Sequence, residues 1–500
     1  MSIVAGVDSS TQSCTVVLYD VERHELLAKV SAPHPPVTPP VSEQDPSAWW
    51  NALAVALPAA CAEAGCAPGD ISAVSVAAQH HGLVALDVQG AVIRPAKLWN
   101  DTASAPQAAR LVEQTGREMW VRRTGSVPTA AFTITKLAWL AENEPENFAR
   151  MRFAMLPHDW LTMRLCGRLV SDRGDSSGTG YFDPVSNIWC EDLLALVDPD
   201  RPWTAQLPHV LGPDEPGGSA DTSAARSLGL RPGTVVGPGT GDQSAAALGL
   251  GLSQGDVMMA FGTSGVVTGL SDVPITDPRG AINGTASATG AFQPIVVTLN
   301  AARITDTFAQ WLGVDHAELS RLALAADRHR VDRPTVVPFF DGERTPDRPF
   351  ARGILADLST STTREEFALS AYEGVVLGLL AGRASLVSAG LDVRNRLLVT
   401  GGASRSGAYR STLAALSGLP VSTPMLDGSL ASARGAAIQA AAVLTGASVV
   451  ETSASWNLGS QVVAAPHPED RECAESRRRR YNEVVAVDQL DHRPPARPIP

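Results

Sequence analysis

A short pattern occurs twice in this chain of 500 residues, and the repeat limits the folds that the chain can adopt. Residues Ile3 to Asp20 form two apolar, β-branched runs around the polar turn Asp8 to Ser13. A related pattern lies at Asp256 to Leu270, around the turn Gly262 to Gly265. Each predicts a β-hairpin whose turn is rich in backbone NH and hydroxyl groups. Their separation, close to one domain length, indicates two halves of similar plan.

Strands and helices are predicted to alternate along both halves. The predicted strands are Ser72 to Val76 and Arg396 to Val399, and the predicted helices are Thr135 to Asn143, Phe148 to Met155 and Arg364 to Ala389. Such alternation is typical of layered α/β domains. We therefore expect the α/β fold class.

The passage from Pro213 to Gly241 is rich in glycine and proline and indicates a domain junction. A chain of this length is long enough for two ordinary domains, each with its own core. We place an N-terminal domain at residues 1–240 and a C-terminal domain at residues 241–485. The proline-rich end, residues 486–500, is predicted to be a loose tail.

The charge of the chain bears on its partners. A formal net charge of -12 argues against binding to nucleic acid or to anionic membranes, because both need clustered Lys and Arg. The one basic run, Arg477 to Arg480, is interpreted as the solvated face of a helix. The sequence does not reveal the oligomeric state, and a homodimer is compatible with it.

Cysteine spacing and apolar stretches bear on location. The six cysteines follow no metal-ligand spacing and are expected to be reduced. The chain opens without a secretory signal pattern, and no uncharged apolar stretch reaches the roughly 18 to 20 residues that a membrane span needs. We therefore expect a cytoplasmic protein.

A glycine-rich run leads into Asp242, which is followed by small residues of helical character, Gln243 to Gly249. The carboxylate is expected at a helix N-terminus, beside the positive end of the helix dipole. One interpretation is a plain helix cap, because aspartate is a favoured N-cap residue. The other is a general base, whose ionised form the helix end would favour. The sequence leaves both interpretations open.

The first hairpin turn suits a phosphate group. Hydroxyl and NH groups of Ser10, Thr11 and Gln12 can surround phosphate oxygens. The carboxylate of Asp8 can hold a hydrated Mg²⁺ that bridges the same phosphates. The same residues also fit an ordinary turn.

The C-terminal half has two glycine-containing segments that suit a nucleotide. They are Gly262, Thr263 and Ser264 in the second hairpin turn, and Gly401, Gly402, Ala403 and Ser404 after a predicted strand. The first lets the backbone approach a phosphate closely, and the second lets a flat ring such as adenine lie against bare backbone. Each is also compatible with an ordinary turn.

Polar side chains follow the predicted strand Ser72 to Val76. Gln79, His80 and His81 lie where α/β proteins place ligands, and amide and imidazole groups suit a polyhydroxyl ligand. A metal site at the two histidines would need a sharp bend, because adjacent side chains point to opposite sides of an extended chain.

These motifs, taken in order, resemble the FGGY carbohydrate kinases, and within that family the xylulokinases. The similar segments run over nearly the whole chain, to about residue 480. They include Asp8 to Ser13, Gln79 to Gly82, Gly241-Asp242, Gly262 to Gly265 and Gly401 to Arg405. P-loop and protein-kinase signatures do not occur.

The resemblance implies two ribonuclease-H-like domains of the actin and hexokinase type, flanking a cleft. Sugar would be held mainly by the first domain and ATP mainly by the second. Asp242 would be the catalytic base and would contact the sugar, as would Gln79, His80 and His81, while Asp8 would support Mg²⁺. The implied activity is ATP-dependent phosphorylation of a ketopentose, D-xylulose to D-xylulose 5-phosphate, in carbohydrate metabolism.

One position departs from the family pattern. Thr15 occupies a place that usually carries Lys or Arg, where a cation would neutralise developing phosphate charge. Three alternatives therefore stay open: a kinase of another ketose or polyol such as ribulose, an actin-like nucleotide switch without a sugar substrate, and a sugar-binding regulator that lacks phosphoryl transfer.

Overall fold

The computed structural model describes residues 2–38 and 40–486, which divide into two compact units. Unit 1 contains the chain up to Leu252, Asp272–Gln293 and Ser429–Leu458; unit 2 contains Ser253–Ser271, Pro294–Gly428 and the described chain from Gly459 onwards. Both units are discontinuous, whereas the domains predicted at 1–240 and 241–485 are continuous. Those domain limits stay a prediction. The predicted tail, residues 486–500, lies outside the described residues except for Ala486.

Unit 1 is built on a mixed sheet. Its strands are β1 Ile3–Ser9, β2 Ser13–Asp20, β3 Glu25–Pro33, β4 Ile71–Ala78, β5 Gly218–Ser219, β6 Val235–Val236 and β7 Thr240–Gly241. The strand order is β3-β2-β1-β4-β6-β5, and β7 also pairs with β4. β2 is antiparallel to β1 and β3, whereas β4 is parallel to β1. The predicted first hairpin and the predicted strand within β4 are confirmed.

Unit 2 repeats this plan. Its strands are β8 Gly255–Phe261, β9 Gly265–Gly269, β10 Phe292–Thr298, β11 Val393–Thr400, β12 Val421–Pro424 and β13 Ser460–Ala464. The order is β10-β9-β8-β11-β12-β13. β9 is antiparallel to β8 and β10, and β11 is parallel to β8. Three antiparallel strands followed by parallel ones are the ribonuclease-H-like arrangement, so the α/β fold class is confirmed in both units.

Helices surround these strands. In chain order they are α1 Pro46–Ala64, α2 Ala105–Thr115, α3 Arg117–Thr124, α4 Thr133–Asn143, α5 Pro145–Arg150, α6 Pro157–Cys166, α7 Arg173–Ser176, α8 Glu191–Leu194, α9 Ser223–Ser227, α10 Asp242–Gly249, α11 Ala302–Leu312, α12 His316–Ala325, α13 Arg364–Ser388, α14 Gly407–Ser417, α15 Ala431–Thr445, α16 Val449–Ser455 and α17 Asp470–Val485. The predicted helices within α4 and α13 are confirmed.

Small strand pairs complete the units. They join Glu43–Gln44 to Ala96–Lys97, Val84–Leu86 to Phe153–Met155, Val170–Asp172 to His209–Leu211, Phe182–Asp183 to Ile188–Trp189, and Thr335–Val337 to Ile354–Ala356. The helix predicted at Phe148 to Met155 is therefore wrong at its end, because α5 stops at Arg150 and Phe153–Met155 is a strand. Pairing with a distant segment overrides the local helical pattern there.

Helix α13 forms much of the apolar core of unit 2. It begins at a capping box in which the Thr363 hydroxyl accepts from the backbone NH of Glu366 and the Glu366 carboxylate accepts from the NH of Thr363. By length and composition α13 would be able to cross a membrane, but 72% of its apolar window is buried. The bent pair α15 and α16 passes the same test only if its 114° bend is ignored. Core helices show the same pattern, so the expectation of no membrane partner stays a prediction.

Helix α15 packs on the sheet of unit 1 at unusually close range. A Cβ atom at Gly6 would lie 2.0 Å from the carbonyl oxygen of Ala433, and one at Gly435 would lie 1.9 Å from that of Ala245. Both contacts are with backbone, which cannot rotate away as a side chain can. Glycine at these positions therefore allows α15 to approach β1 and α10.

Replacement of Gly435 tests this packing. We expect Gly435→Val to destabilise the protein by about 1–3 kcal/mol or more, because the new side chain would overpack a backbone contact. The measurement is the urea midpoint of unfolding compared with that of the wild-type protein. Gly212→Ala is the matched control, since nothing lies nearer than 4.0 Å to its Cβ position. Equal midpoints for both variants would contradict the prediction.

Candidate active site

Asp242 is the first residue of α10, and Gly241 holds the cap position before it. The predicted location at a helix N-terminus is confirmed, whereas the interpretation of Asp242 as a plain cap is wrong. The Asp242 side chain stays 25% exposed, so a ligand can reach its carboxylate. Burial raises the pKa of Asp242, and the neighbouring His80 opposes this increase.

Asp8 lies at the end of β1, and its Oδ1 atom is buried without a hydrogen-bond partner. Burial, together with the negative charge of Asp242, raises the pKa of Asp8 to about 8. Thr15 is the cross-strand neighbour of Asp8, and its hydroxyl lies 2.8 Å from that of Ser31. The residue that departs from the family pattern thus places a hydroxyl, not a cation, opposite Asp8.

The first turn connects to the end of β4 through hydrogen bonds. Thr11 Oγ1 donates to Gln79 Oε1 at 3.2 Å and accepts from Trp99 Nε1 at 2.9 Å. The Nε2 group of Gln79 is buried without a partner, which leaves a donor for a ligand. The Ser10 hydroxyl donates to the Ser13 carbonyl and closes the turn, while Gln12 is exposed.

The two histidines after β4 have different surroundings. His80 Nδ1 lies 2.7 Å from Asp175 Oδ1, and its Nε2 lies 3.6 Å from Asp242 Oδ1. His81 has a φ of 66°, and its Nδ1 lies 2.6 Å from the carbonyl oxygen of Gly178. The His81 ring also stacks on Phe132 at a centroid distance of 4.9 Å. The left-handed backbone at His81 separates the roles of the two rings.

The same difference appears in their protonation. Burial would lower the pKa of His80, but the Asp175 carboxylate overcomes this effect and raises that pKa to about 9. Burial and the neighbouring His80 lower the pKa of His81 to about 3. His80 is therefore a cation near neutral pH and His81 is neutral. Within residues 2–38 and 40–486, no group of three or more His, Cys, Asp or Glu side chains could hold a metal ion.

Two residues that the sequence interpretation did not assign to the site lie behind His80. Asp175, in α7, is fully buried and contacts His80 through Oδ1 and His158 through Oδ2, the second at 2.8 Å. Neither residue is close to His80 in the sequence. A weak signal existed, since Asp172 and Asp175 stand three apart in a segment of small polar residues.

Unit 2 brings together the other two predicted segments. β8 and β9 form the second predicted hairpin, and in its turn Gly262 NH donates to the Ser264 carbonyl at 3.1 Å. Gly401 follows β11 with a φ of 86°, and a Cβ atom there would lie 2.5 Å from the Phe261 carbonyl oxygen. Gly401 therefore packs against the strand residue that precedes the turn.

A pocket of about 540 Å³ opens beside the second of these segments in unit 2. Gly402 and Ala403 line it together with Tyr372 and Tyr409. A Cβ atom at Gly402 would meet nothing within 4 Å, so the backbone is bare on that side. Ser404 does not line the pocket, and its hydroxyl donates to the Gly401 carbonyl at 2.7 Å. The arrangement fits a flat apolar ring.

Comparison with known proteins agrees with these features. The FGGY family of carbohydrate kinases matches the chain with its N-terminal domain over residues 3–249 and its C-terminal domain over residues 257–444. The chain is 41% identical over 456 residues to the xylulose kinase of Streptomyces coelicolor, with 91% of each chain covered. It is 40% identical over 471 residues to that of Streptomyces rubiginosus, with 94% of each covered.

A solved structure shows the same relation. The crystal structure of xylulose kinase from Bifidobacterium adolescentis is similar at a TM-score of 0.84 and 38% identity, over 97% of this chain and 99% of that chain. The family that the sequence motifs resemble is confirmed. The chain belongs to the FGGY family of carbohydrate kinases and is a sugar kinase.

Proposed function

We propose that this kinase transfers the γ-phosphoryl group of ATP to the terminal hydroxyl of D-xylulose, giving D-xylulose 5-phosphate and ADP. The observation that carries the proposal is the partly exposed carboxylate of Asp242 at the N-terminus of α10. Its support is the 40% and 41% identity to Streptomyces proteins named xylulose kinase. A cytoplasmic location and the absence of nucleic-acid partners stay predictions.

Asp242 acts as the general base in this proposal. Its carboxylate accepts the proton of the sugar O5 hydroxyl while the bond from O5 to the γ-phosphorus forms. The bond from that phosphorus to the bridging oxygen breaks, and ADP leaves. Phosphoryl transfer of this kind depends on alignment and on charge stabilisation more than on covalent chemistry.

Sugar recognition falls to the polar groups after β4. The unpartnered Nε2 of Gln79 can donate to a sugar hydroxyl, which would satisfy a buried polar atom. His81 is neutral and held by Gly178 and Phe132, so its remaining ring nitrogen is a fixed hydrogen-bonding group. A site built from such groups rejects sugars that lack the matching hydroxyl.

The nucleotide is assigned to the two glycine-containing segments of unit 2. ATP is the phosphoryl donor that the family implies. Gly262, Thr263 and Ser264 would contact its phosphates through NH and hydroxyl groups. The segment Gly401–Ser404 and the pocket of about 540 Å³ beside it would hold the adenosine.

Asp8 is the residue that would hold Mg²⁺. A buried carboxylate oxygen without a hydrogen-bond partner fits a hydrated cation, and Mg²⁺ in kinases is bound by one or two carboxylates together with substrate phosphates. Bound there, the ion would neutralise charge on the transferring phosphoryl group. Ser10, Thr11 and Gln12 would supply NH and hydroxyl contacts beside it.

The raised pKa of Asp8 predicts that cation binding releases a proton. With a pKa of about 8, Asp8 is mostly protonated near neutral pH, but a cation binds only the ionised carboxylate. We expect Mg²⁺-ADP binding to release close to one proton at about pH 7 and almost none at about pH 9.5. Calorimetry in buffers of different ionisation enthalpy measures this release. Asp8→Asn should abolish it, and the same binding heat in every buffer with the wild-type protein would contradict the prediction.

A substrate panel tests the proposed function. The measurement is kcat/KM in a coupled ADP assay with D-xylulose, D-ribulose, L-ribulose, glycerol and gluconate. D-xylulose should give the highest value by about tenfold or more, since discrimination by matched hydroxyls is large. Preference for another sugar would overturn the substrate while leaving the kinase intact. ATP hydrolysis that no sugar stimulates would favour a nucleotide switch, and sugar binding without turnover would favour a regulator.

A further inference from the structure

His80 was expected from the sequence to contact the sugar, but both of its ring nitrogens face carboxylates. Nδ1 lies 2.7 Å from Asp175 Oδ1, and Nε2 lies 3.6 Å from Asp242 Oδ1. The Nε2 atom is buried, and the whole side chain is only 13% exposed. A sugar hydroxyl would therefore meet Asp242 before it could meet a polar atom of His80.

Asp175 holds a second imidazole with its other oxygen. His158 Nδ1 lies 2.8 Å from Asp175 Oδ2, and both side chains are fully buried. At the far side of that ring, His158 Nε2 lies 3.1 Å from Asp159 Oδ1 and 3.7 Å from Asp172 Oδ1. Each imidazole thus has a carboxylate beside both nitrogens, which favours the doubly protonated cation.

The glycine-rich run before Asp242 is shaped to these rings. A Cβ atom at Gly241 would lie 2.0 Å from His80 Cε1, and one at Gly239 would lie 2.6 Å from His158 Cδ2. Between them, the Thr240 hydroxyl donates to Asp172 Oδ2 at 2.7 Å. The glycines that the sequence suggested might approach a phosphate instead let the backbone lie directly on two imidazoles.

We propose that His80 is a positioning residue for Asp242, and that it is the outermost member of a buried relay of alternating imidazoles and carboxylates that continues through Asp175 to His158. The inference rests on the proposed function, in which Asp242 is the base. The His80 cation faces the Asp242 carboxylate and keeps it ionised and oriented. Asp175 and the backbone at Gly241 hold the His80 ring in place, and His158 holds Asp175.

The pH dependence of turnover reports on this contact. The charged and titratable groups that face His80 are Asp175, Asp242, Asp172 and the adjacent ring of His81. Loss of the His80 cation removes an attraction that favours the ionised form of Asp242. The acidic limb of the kcat profile should therefore move to higher pH in a variant without this cation.

The test is a double-mutant cycle with D-xylulose and ATP. His80→Gln should lower kcat by about 10- to 100-fold, shift the acidic limb upward, and leave KM for D-xylulose within about threefold. In the Asp242→Asn background the same change should have no further effect, because its target is already absent. His209→Gln, an exposed histidine of unit 1, is the matched control and should behave as wild type. Should His80→Gln fail to fold, Asp175→Asn carries the same test.

Other outcomes are equally informative. A large increase in KM at unchanged kcat would show that His80 contacts the sugar and would overturn the proposal. So would an equal loss in the Asp242→Asn background. Inactive Asp242→Asn beside a fully active His80→Gln would overturn the relay alone. A fully active Asp242→Asn would overturn the proposed base as well.

Discussion

Asp242→Asn should retain its fold and its affinity for ADP while kcat falls by about 10²- to 10⁴-fold. The amide has nearly the same shape as the carboxylate but cannot accept the proton of the sugar hydroxyl. Because Gly241 and not Asp242 caps α10, the change removes no helix cap. The measurements are kcat in the coupled assay, the melting temperature and the dissociation constant of ADP.

The matched control for this variant is Asp200→Asn, an exposed aspartate of the same unit. It should leave all three quantities unchanged. If Asp242→Asn turned over at the wild-type rate, another group would have to be the base. If it unfolded, the main role of Asp242 would be structural.

Arg477→Leu is expected to destabilise the protein by about 3–5 kcal/mol. Arg477 is 2% exposed, and its guanidinium lies 3.0 Å from Glu373 Oε2, while Arg333 lies 2.6 Å from Glu373 Oε1. Arg477 also donates to the carbonyl oxygens of Arg333 and Pro334. Removal of this guanidinium would leave half of a buried carboxylate and two carbonyl groups without their donor.

Arg479→Leu is the control for that change, because Arg479 is exposed in the same helix, α17. Its effect should stay within about 0.5 kcal/mol. The measurement is the free energy of unfolding from denaturant titration. A loss below 1 kcal/mol with Arg477→Leu would contradict the prediction.

The arginine run also shows a limit of sequence interpretation. Arg477 to Arg480 was interpreted as a solvated face, which is wrong for Arg477 and correct for the three residues after it. Four consecutive basic residues on a helix point in different directions, and the sequence does not say which direction faces the core. Only the position of Glu373, about a hundred residues earlier, decides this.

Local patterns predicted the elements that carry the candidate site. Alternating β-branched runs identified both hairpins, and the change from glycines to small helix formers identified the start of α10 at Asp242. These signals are contained in a few consecutive residues. The order of motifs along the chain was also sufficient to indicate the family.

Contacts between distant segments were not predictable in the same way. Asp175 and His80 are 95 residues apart, and nothing in the spacing indicates that an imidazole of one segment lies on a carboxylate of the other. Helix α15 likewise joins unit 1 although it follows most of unit 2 in sequence. In both cases the partner is selected by tertiary packing, for which a single sequence carries no periodic signal.

The most direct test of the account is a crystal structure with D-xylulose and a non-hydrolysable ATP analogue bound. We expect a carboxylate oxygen of Asp242 within about 2.6–3.2 Å of the sugar O5 atom, with that oxygen directed at the γ-phosphorus. A complex in which O5 approaches a different side chain, with Asp242 outside hydrogen-bonding reach, would contradict the assignment of Asp242 as the base.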